Sequence, residues 1–269
     1  MSLPLSLDRI PPAAFNFAVE VEALYQALLG CSQAQQDAEP GLGGKLLYAG
    51  ELADHGRALM VAGNISGAAT LAATADPGAQ KQAIREGVAD FLVTSLDEAL
   101  RVLKNEIRKR ETVAVCVAAA PHFIEREMQD RGVLPDLLPP PTWVAAAFGQ
   151  GSRRLPDGEL EDDRELIVWS VPSSPARWLP KLDVLAFESF CGQAGHAANY
   201  AGRWLRLAPR YLGRLAQGFR VMRAAPEVAQ EFVSRVQRSV ADGAIGVEVE
   251  ISLKRSQQEF SIKPQVQTA

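Results

Sequence analysis

Short apolar runs alternate with amphipathic segments through the middle of the chain. Residues 58–63 and 113–117 are apolar almost throughout, which is typical of strands buried in a parallel sheet, and the apolar run at 91–94 predicts another strand. Residues 67–75, which follow the first run, are small and favour a helix. Because strand and helix patterns alternate, the sequence predicts a parallel sheet with right-handed crossovers.

Capping residues mark where the helices between these strands begin and end. Asp76 followed by Pro77 predicts an N-cap and a first helical residue, and Gly87 predicts the end of that helix. Ser95 and Glu98 form a capping box that opens the next helix. Both helices are therefore expected to lie between neighbouring strands of the sheet.

Further strand patterns extend the predicted sheet in both directions. Further candidates lie at residues 45–50, 135–138, 165–171 and 182–186. Together with the three apolar runs they predict an α/β fold, a Rossmann-like parallel sheet with flanking helices.

The two ends of the chain follow other patterns. Residues 14–30 predict an amphipathic helix, and residues 194–240 are mainly helical. Apolar and polar residues alternate over 247–253, and residues 260–263 are expected to pair back as a β-hairpin. The sequence thus predicts three regions: an N-terminal helix and linker (1–44), the Rossmann-like core (45–190), and a helical segment with a terminal β-hairpin (191–269).

Composition excludes several classes of protein. Hydrophobic residues make up 47% and charged residues 22% of the chain, as in ordinary globular proteins. The net charge of −4 gives no general attraction to nucleic acid or anionic membrane, so we expect neither as a partner. The three cysteines are widely spaced and predict free thiols in a cytoplasmic protein, and neither they nor the histidines predict a metal site.

The first candidate site is a glycine-containing turn after residues 58–63. Backbone N–H groups at a helix N-terminus bind phosphate, and glycine allows its close approach. Gly63, Asn64, Ser66 and Gly67 are therefore the predicted cofactor-binding residues, with Ser66 as a hydroxyl donor. The glycine spacing is GxxxG rather than GxGxxG, and a tight turn between two elements also requires small residues.

About a third of the chain resembles the central Rossmann domain of the urocanase (urocanate hydratase) family. The resemblance rests on residues 63–74, on the segment at 95–100, and on Arg131-Gly132-Val133-Leu134-Pro135-Asp136. It implies a Rossmann fold, a glycine-rich turn that holds a tightly bound NAD as an electrophile, and hydration of urocanate. The turn is shorter here, and Thr70 stands near the position of the family's glutamine. Of the family's later Asp-Gln-Thr stretch only Thr142 remains, and the family is about twice as long.

The second candidate site lies after the predicted strand at 182–186. Cys191 and His196 are the candidate catalytic pair there, because a thiolate beside an imidazolium is an activated nucleophile. The alternative is a buried cysteine and a helix-capping histidine, since catalytic residues come together in space rather than in sequence.

A third feature is an arginine-rich stripe, in which Arg203, Arg206, Arg210 and Arg214 recur at helical spacing. Such a stripe binds phosphate or an acidic partner, or forms a face that is solvated or paired with acidic residues.

Three functions remain open from the sequence. The first is a divergent urocanase-like protein that binds a small-molecule ligand or a partner without full urocanase catalysis. The second is a urocanase-related lyase or hydratase that uses NAD. The third is a non-enzymatic structural subunit that forms a homo-oligomer through its helical C-terminal region.

Overall fold

A computed structural model describes residues 10–32, 41–145, 147–157, 163–191 and 196–264 of the chain. The chain forms two compact units, one of residues Ala23–Leu160 and one of Met1–Glu22 together with Glu161–Ala269. The three regions predicted from the sequence, 1–44, 45–190 and 191–269, divide the chain at other places. Helix α1 (Pro12–Ser32) includes the boundary between the two units.

The unit of residues 23–160 contains a six-stranded parallel sheet, which confirms the predicted Rossmann-like α/β fold. Its strands are β1 (Leu46–Glu51), β2 (Ala69–Ala73), β3 (Phe91–Val93), β4 (Val113–Val117), β5 (Leu137–Leu138) and β6 (Arg153–Arg154), and they lie in the order β3-β4-β2-β1-β5-β6. Its helices are α2 (Asp54–Ser66), α3 (Pro77–Glu86), α4 (Leu96–Lys109) and α5 (Pro121–Asp130).

The prediction of a strand at 58–63 and a helix at 67–75 is wrong, because the structure has helix α2 and then strand β2 in these places. Every residue of α2 from Ala58 to Ser66 is buried, so this helix has no polar face to reveal a helical period. All five residues of β2 are buried too, because β2 lies between β1 and β4 in the sheet.

The unit of residues 1–22 and 161–269 contains a four-stranded antiparallel sheet. Its strands are β7 (Glu165–Ser170), β8 (Phe219–Ala224), β9 (Val249–Leu253) and β10 (Gln258–Ile262), in the order β10-β9-β7-β8. Its helices are α6 (Pro175–Cys191), α7 (His196–Leu212) and α8 (Pro226–Ala241), with a 3₁₀ turn at Gly213–Ala216. Strands β9 and β10 form the predicted terminal hairpin.

Two predicted strands of the parallel sheet need correction in this unit. The strand at 165–171 exists as β7, but it pairs antiparallel with β8 and β9. The strand predicted at 182–186 lies inside helix α6, because Leu182 and Ala186 are buried one helical turn apart while Val184 between them is exposed.

Candidate functional site

The topology of the parallel sheet defines one crevice at its carboxyl edge. Strand β1 has β2 on one side and β5 on the other. The chain continues from β1 to β2 but from β5 to β6, so the connections leave β1 and β5 in opposite directions. In open α/β sheets, ligands bind outside the carboxyl ends of the strands at this reversal. The candidate site therefore lies between the β1–α2 turn and the loop after β5.

Two glycines flank the β1–α2 turn, Gly50 near the end of β1 and Gly56 in the first turn of α2. Gly50 has φ +79, and the register with β2 shifts between Tyr48 and Gly50. A Cβ at Gly56 would lie 1.9 Å from the carbonyl oxygen of Glu51, so the first turn of α2 packs directly on the end of β1. The N-cap residue is Ala53, and its methyl side chain cannot accept a hydrogen bond from the N–H groups of the helix. The strand-to-helix turn of this part of the sheet therefore lies between β1 and α2, and not at residues 63–67 as predicted from the sequence.

The loop after β5 covers this turn. A Cβ at Gly50 would lie 2.9 Å from Cγ2 of Val144, so the loop side chain already contacts the backbone there. The rings of Trp143 and His55 stack with centroids 4.9 Å apart and planes at 20°. Residues of the same chain thus occupy the place where a ligand would contact the glycine-containing turn.

The buried ring of Phe148 extends the same loop onto strand β1. It contacts Tyr48 edge to face, with ring centroids 5.4 Å apart. The Tyr48 hydroxyl donates to Glu125 Oε1 at 3.1 Å, and burial followed by the Glu125 charge raises the pKa of Tyr48. Both rings therefore act as core packing beneath the loop.

Arg154 in β6 holds the loop in this position. Its Nη2 donates to the carbonyl oxygens of Ala145 at 3.0 Å and Phe148 at 2.6 Å, and its Nη1 donates to Pro139 at 3.4 Å. Gln129 of α5 donates to Ala147 at 3.2 Å. A charged donor shared among three backbone carbonyls fixes the loop more firmly than a single neutral hydrogen bond would.

Two exposed carboxylates at this turn oppose an anionic ligand, and Arg57 of α2, whose Nη1 lies 4.0 Å from Asp54 Oδ1 and which also pairs with Glu86, offsets them only in part. Glu51 ends β1, Asp54 begins α2, and both side chains are exposed. Burial and, to a smaller extent, the Glu51 charge raise the pKa of the nearby Cys116 to about 11, so this thiol stays protonated at neutral pH. A pyrophosphate at the turn would lie beside two carboxylates and against Val144, so the residues present do not fit NAD.

The structure uses the predicted cofactor-binding residues in packing. Gly63, Asn64 and Ser66 lie in the last turns of α2, and Gly67 is its C-cap with φ +91. A Cβ at Gly63 would lie 2.6 Å from Thr70 Cγ2, so this glycine lets α2 approach the sheet.

The polar groups of this segment also bond internally. Asn64 Oδ1 accepts from the Thr70 hydroxyl at 3.2 Å, and Asn64 Nδ2 donates to the carbonyl oxygen of Val88 at 3.4 Å. Ser66 Oγ donates to the carbonyl oxygen of Ala62 at 2.8 Å. These residues were assigned to a phosphate because they were expected to begin a helix. In the structure they end one, so that reason does not apply. The signal that sequence reasoning missed was the pair Gly50, which ends the strand candidate at 45–50, and Gly56, which follows it.

The side chains of Cys191 and His196 lie outside the described residues. Helix α6 ends at Cys191 and helix α7 begins at His196, so the strand expected before them is a helix. Their assignment as a catalytic pair stays a prediction. Among the residues that are described, no group of three His, Cys, Asp or Glu side chains could hold a metal ion.

Three arginines of the predicted stripe are exposed, whereas two later arginines, Arg220 and Arg223 of strand β8, form internal pairs. Arg206, Arg210 and Arg214 are exposed, and the Arg210 guanidinium lies 5.4 Å from the centre of the Tyr211 ring. Arg223 pairs with the fully buried carboxylate of Glu22.

Arg220 forms the other internal pair, with a carboxylate of α6. Its Nε lies 3.2 Å from Asp183 Oδ2, and both side chains are largely buried. Burial raises the pKa of Asp183 to about 6, although the Arg220 charge and the Trp169 indole lower it. Neither Trp169 Nε1 nor Asp183 Oδ1 has a hydrogen bond of normal geometry within the described residues. The buried Asp183 carboxylate therefore depends chiefly on the positive charge of Arg220 to offset its loss of hydration.

Comparison with known proteins identifies the class of the parallel-sheet unit. Residues 21–147, nearly half of the chain, match the model of the urocanase Rossmann-like domain. The predicted resemblance to the central domain of that family is thereby confirmed.

A particular relative is the S-methyl thiourocanate hydratase of Variovorax sp. (strain JCM 16519 / RA8), which is 26% identical over 118 residues. That similarity covers 44% of this chain and 21% of the relative, so the chain matches about a fifth of the relative's length. No helix in the described part of the chain has the length and apolar character needed to cross a membrane.

Proposed function

We propose that this protein is a urocanase-like Rossmann protein that binds a partner or a small ligand and does not carry out urocanase catalysis. The observation that carries the proposal is the contact of Val144 with the backbone at Gly50. In a dinucleotide-binding fold, that backbone must be open to the pyrophosphate. Here it is covered by a loop that Arg154 holds through three carbonyl oxygens.

Charge supports the same proposal. The exposed carboxylates of Glu51 and Asp54 stand where phosphate oxygens would approach the N-terminus of α2. Like charges at short distance in a partly buried crevice cost binding free energy, and the helix dipole offsets only a part of that cost. NAD is thus disfavoured by both shape and charge, whereas an uncharged or cationic ligand has no such conflict.

Titration with NAD tests the proposal. We expect native mass spectrometry of the purified protein to detect the bare chain mass, and added NAD to leave the melting temperature unchanged. The matched variant Glu51→Gln with Asp54→Asn removes both carboxylates and leaves the loop in place, and it should also fail to bind because Val144 still covers the turn. Retention of NAD by the unchanged protein would contradict the proposal.

The similarity to S-methyl thiourocanate hydratase favours one alternative, a lyase or hydratase that uses NAD. In this alternative Cys191 and His196 would be the catalytic residues. It predicts that the protein with NAD consumes urocanate or S-methyl thiourocanate, with loss of their ultraviolet absorbance, and that Cys191→Ser or His196→Ala abolishes the reaction. We expect no turnover of either compound, and turnover that needs both side chains would establish the alternative.

A further inference from the structure

The outward side of helix α7 carries the arginine stripe, and its charges are available to a partner. The inward side of α7 is buried and consists of Ala201, Trp204, Leu205, Ala208 and Leu212. Arg203, the first member of the stripe, is half-buried and already engaged within the chain. Arg206, Arg210 and Arg214 are exposed, and within the part of the chain that the structure describes they form no ion pair or hydrogen bond.

No acidic residue stands near this stripe in the sequence. The chain has 28 basic and 32 acidic residues, yet residues 189–226 contain six arginines and neither aspartate nor glutamate. Other surface helices pair their cations with acids one turn away, as Lys109 does with Glu106 at 2.9 Å on α4 and Arg235 with Glu231 at 2.8 Å on α8. The stripe is thus a local excess of positive charge in a chain that is acidic elsewhere.

This arrangement lowers the stability of helix α7. Arg206 and Arg210 are four residues apart, where like charges face each other and destabilise a helix. The helix dipole favours Arg210 in the last turn, but the dipole effect falls off within one turn and does not reach Arg206. Residues that break a local rule of helix stability without a compensating contact are typical of functional surfaces.

We propose that Arg206, Arg210 and Arg214 bind an acidic helical segment of another protein. Residues four apart on a helix lie about 6 Å from each other, so the three arginines extend over about 12 Å. The turn that holds Arg214 continues the helix, because Leu212 before it keeps helical dihedral angles of φ −72 and ψ −31. A partner helix with three carboxylates at the same spacing matches the stripe, and each guanidinium can hold a carboxylate through two hydrogen bonds.

The size and charge of the stripe favour a short acidic segment over a larger polyanion. A nucleic-acid duplex or an anionic membrane extends well beyond about 12 Å and would also meet the acidic remainder of the chain. A single acidic helix contacts the arginines alone. This site is separate from the covered crevice, so the NAD titration and the experiment below can fail independently.

Fluorescence anisotropy of the full chain with a labelled acidic peptide tests the proposal. The probe is an alanine-based helical peptide of about fifteen residues with three glutamates spaced four apart. We expect saturable binding that weakens at least about tenfold between about 0.05 and 0.5 M NaCl. A peptide of the same composition with its glutamates distributed around the helix should bind at least about fivefold more weakly, because it cannot meet all three arginines. Absent or unsaturable binding, or equal binding of the two peptides, would overturn the proposal.

Glutamine substitutions separate the stripe from general charge attraction. Replacing Arg206, Arg210 and Arg214 with glutamine should weaken binding of the probe about tenfold or more, and it should keep or slightly raise the melting temperature because like charges leave α7. The matched control replaces an equal number of exposed arginines on other helices, which are Arg85, Arg101 and Arg126. It removes the same total charge and should leave binding unchanged, so equal weakening by both variants would refute the site.

Two other polyanions test the assignment of the partner. A single-stranded RNA and vesicles of phosphatidylglycerol should each bind more weakly than the acidic peptide under the same conditions. Tighter binding of either one, lost in the stripe variant, would replace an acidic protein segment with a nucleic acid or a membrane as the partner.

Discussion

Replacing Gly56 with alanine is expected to lower the free energy of unfolding by about 3 kcal/mol or more. The added Cβ would lie 1.9 Å from the carbonyl oxygen of Glu51 and 3.4 Å from that of Ala49. Both are backbone atoms, so no side-chain rotation relieves the clash, and β1 and α2 must separate. Urea unfolding followed by circular dichroism measures the loss, and hydrogen exchange of the β1 amides reports on this unit.

Gly30→Ala is the control for this substitution. Gly30 lies in helix α1 with no atom within 4 Å of the position of its Cβ, so alanine there should leave stability unchanged or raise it by up to about 1 kcal/mol. Unchanged stability of Gly56→Ala would mean that the β1–α2 turn is wider than described. It would also reopen the crevice as a site for a dinucleotide.

Replacing Arg220 with leucine is expected to cost about 3–5 kcal/mol at pH 8 and much less at pH 5. Arg220 lies beside Asp183 on helix α6, and both side chains are largely buried. Removing the guanidinium at pH 8 leaves the Asp183 carboxylate charged without its partner. At pH 5 this carboxyl binds a proton and tolerates burial, so most of the penalty disappears.

The sign of this pH dependence follows from the pKa of Asp183, which burial raises from 3.8 to about 6. The folded protein holds this proton more tightly than the unfolded chain, so the contribution to stability is fully present below pH 3.8. It is lost as the pH rises through about 6. Arg220→Leu removes a charge that lowers this pKa, so the pKa rises further and the variant loses stability more steeply between pH 5 and 8.

Urea unfolding at pH 5 and pH 8, followed by circular dichroism, measures the effect. Arg206→Leu is the matched control, because Arg206 is exposed and should change stability by less than about 0.5 kcal/mol at either pH. If Arg220→Leu lowered the free energy of unfolding equally at both pH values, the cost would come from lost packing rather than from the unpaired charge.

Local capping signals predicted the exposed helices well. Asp76 accepts from the N–H groups of Gly78 at 2.8 Å and Ala79 at 3.2 Å, and Gly87 ends helix α3 in the left-handed conformation. Ser95 accepts from the N–H of Glu98 at 3.3 Å and begins α4. These signals act within a few residues, so tertiary contacts do not override them.

Buried elements were harder to predict, because burial on all sides removes the period that separates a helix from a strand. Helix α2 and strand β4 both appear as short apolar runs. The difference lies in residue type: α2 contains Ala58-Leu59-Met60, which favour helices, whereas three of the five residues of β4 are valine. The misassigned α2 also moved the expected glycine-containing turn from its N-terminus to its C-terminus, to the opposite edge of the sheet.

The loop over the crevice could not be predicted from sequence. Trp143, Val144 and Phe148 lie between 88 and 100 positions along the chain from their respective partners His55, Gly50 and Tyr48. Their contacts depend on β5 lying beside β1, which only the topology of the whole sheet determines. The three prolines at residues 139–141 give no sign of where the residues that follow them pack.

The buried Glu22 pairs with Arg223, a residue that is translated much later. Its carboxylate accepts from the backbone N–H of Arg223 at 3.1 Å and pairs with the guanidinium of that residue, 201 positions later. Domains fold as units during synthesis, so the continuous segment 23–160 can complete its parallel sheet while β8 is still being made. The N-terminal part of helix α1 is thus translated before the whole segment 23–160 and can reach its packing against β8 only after that segment has been made.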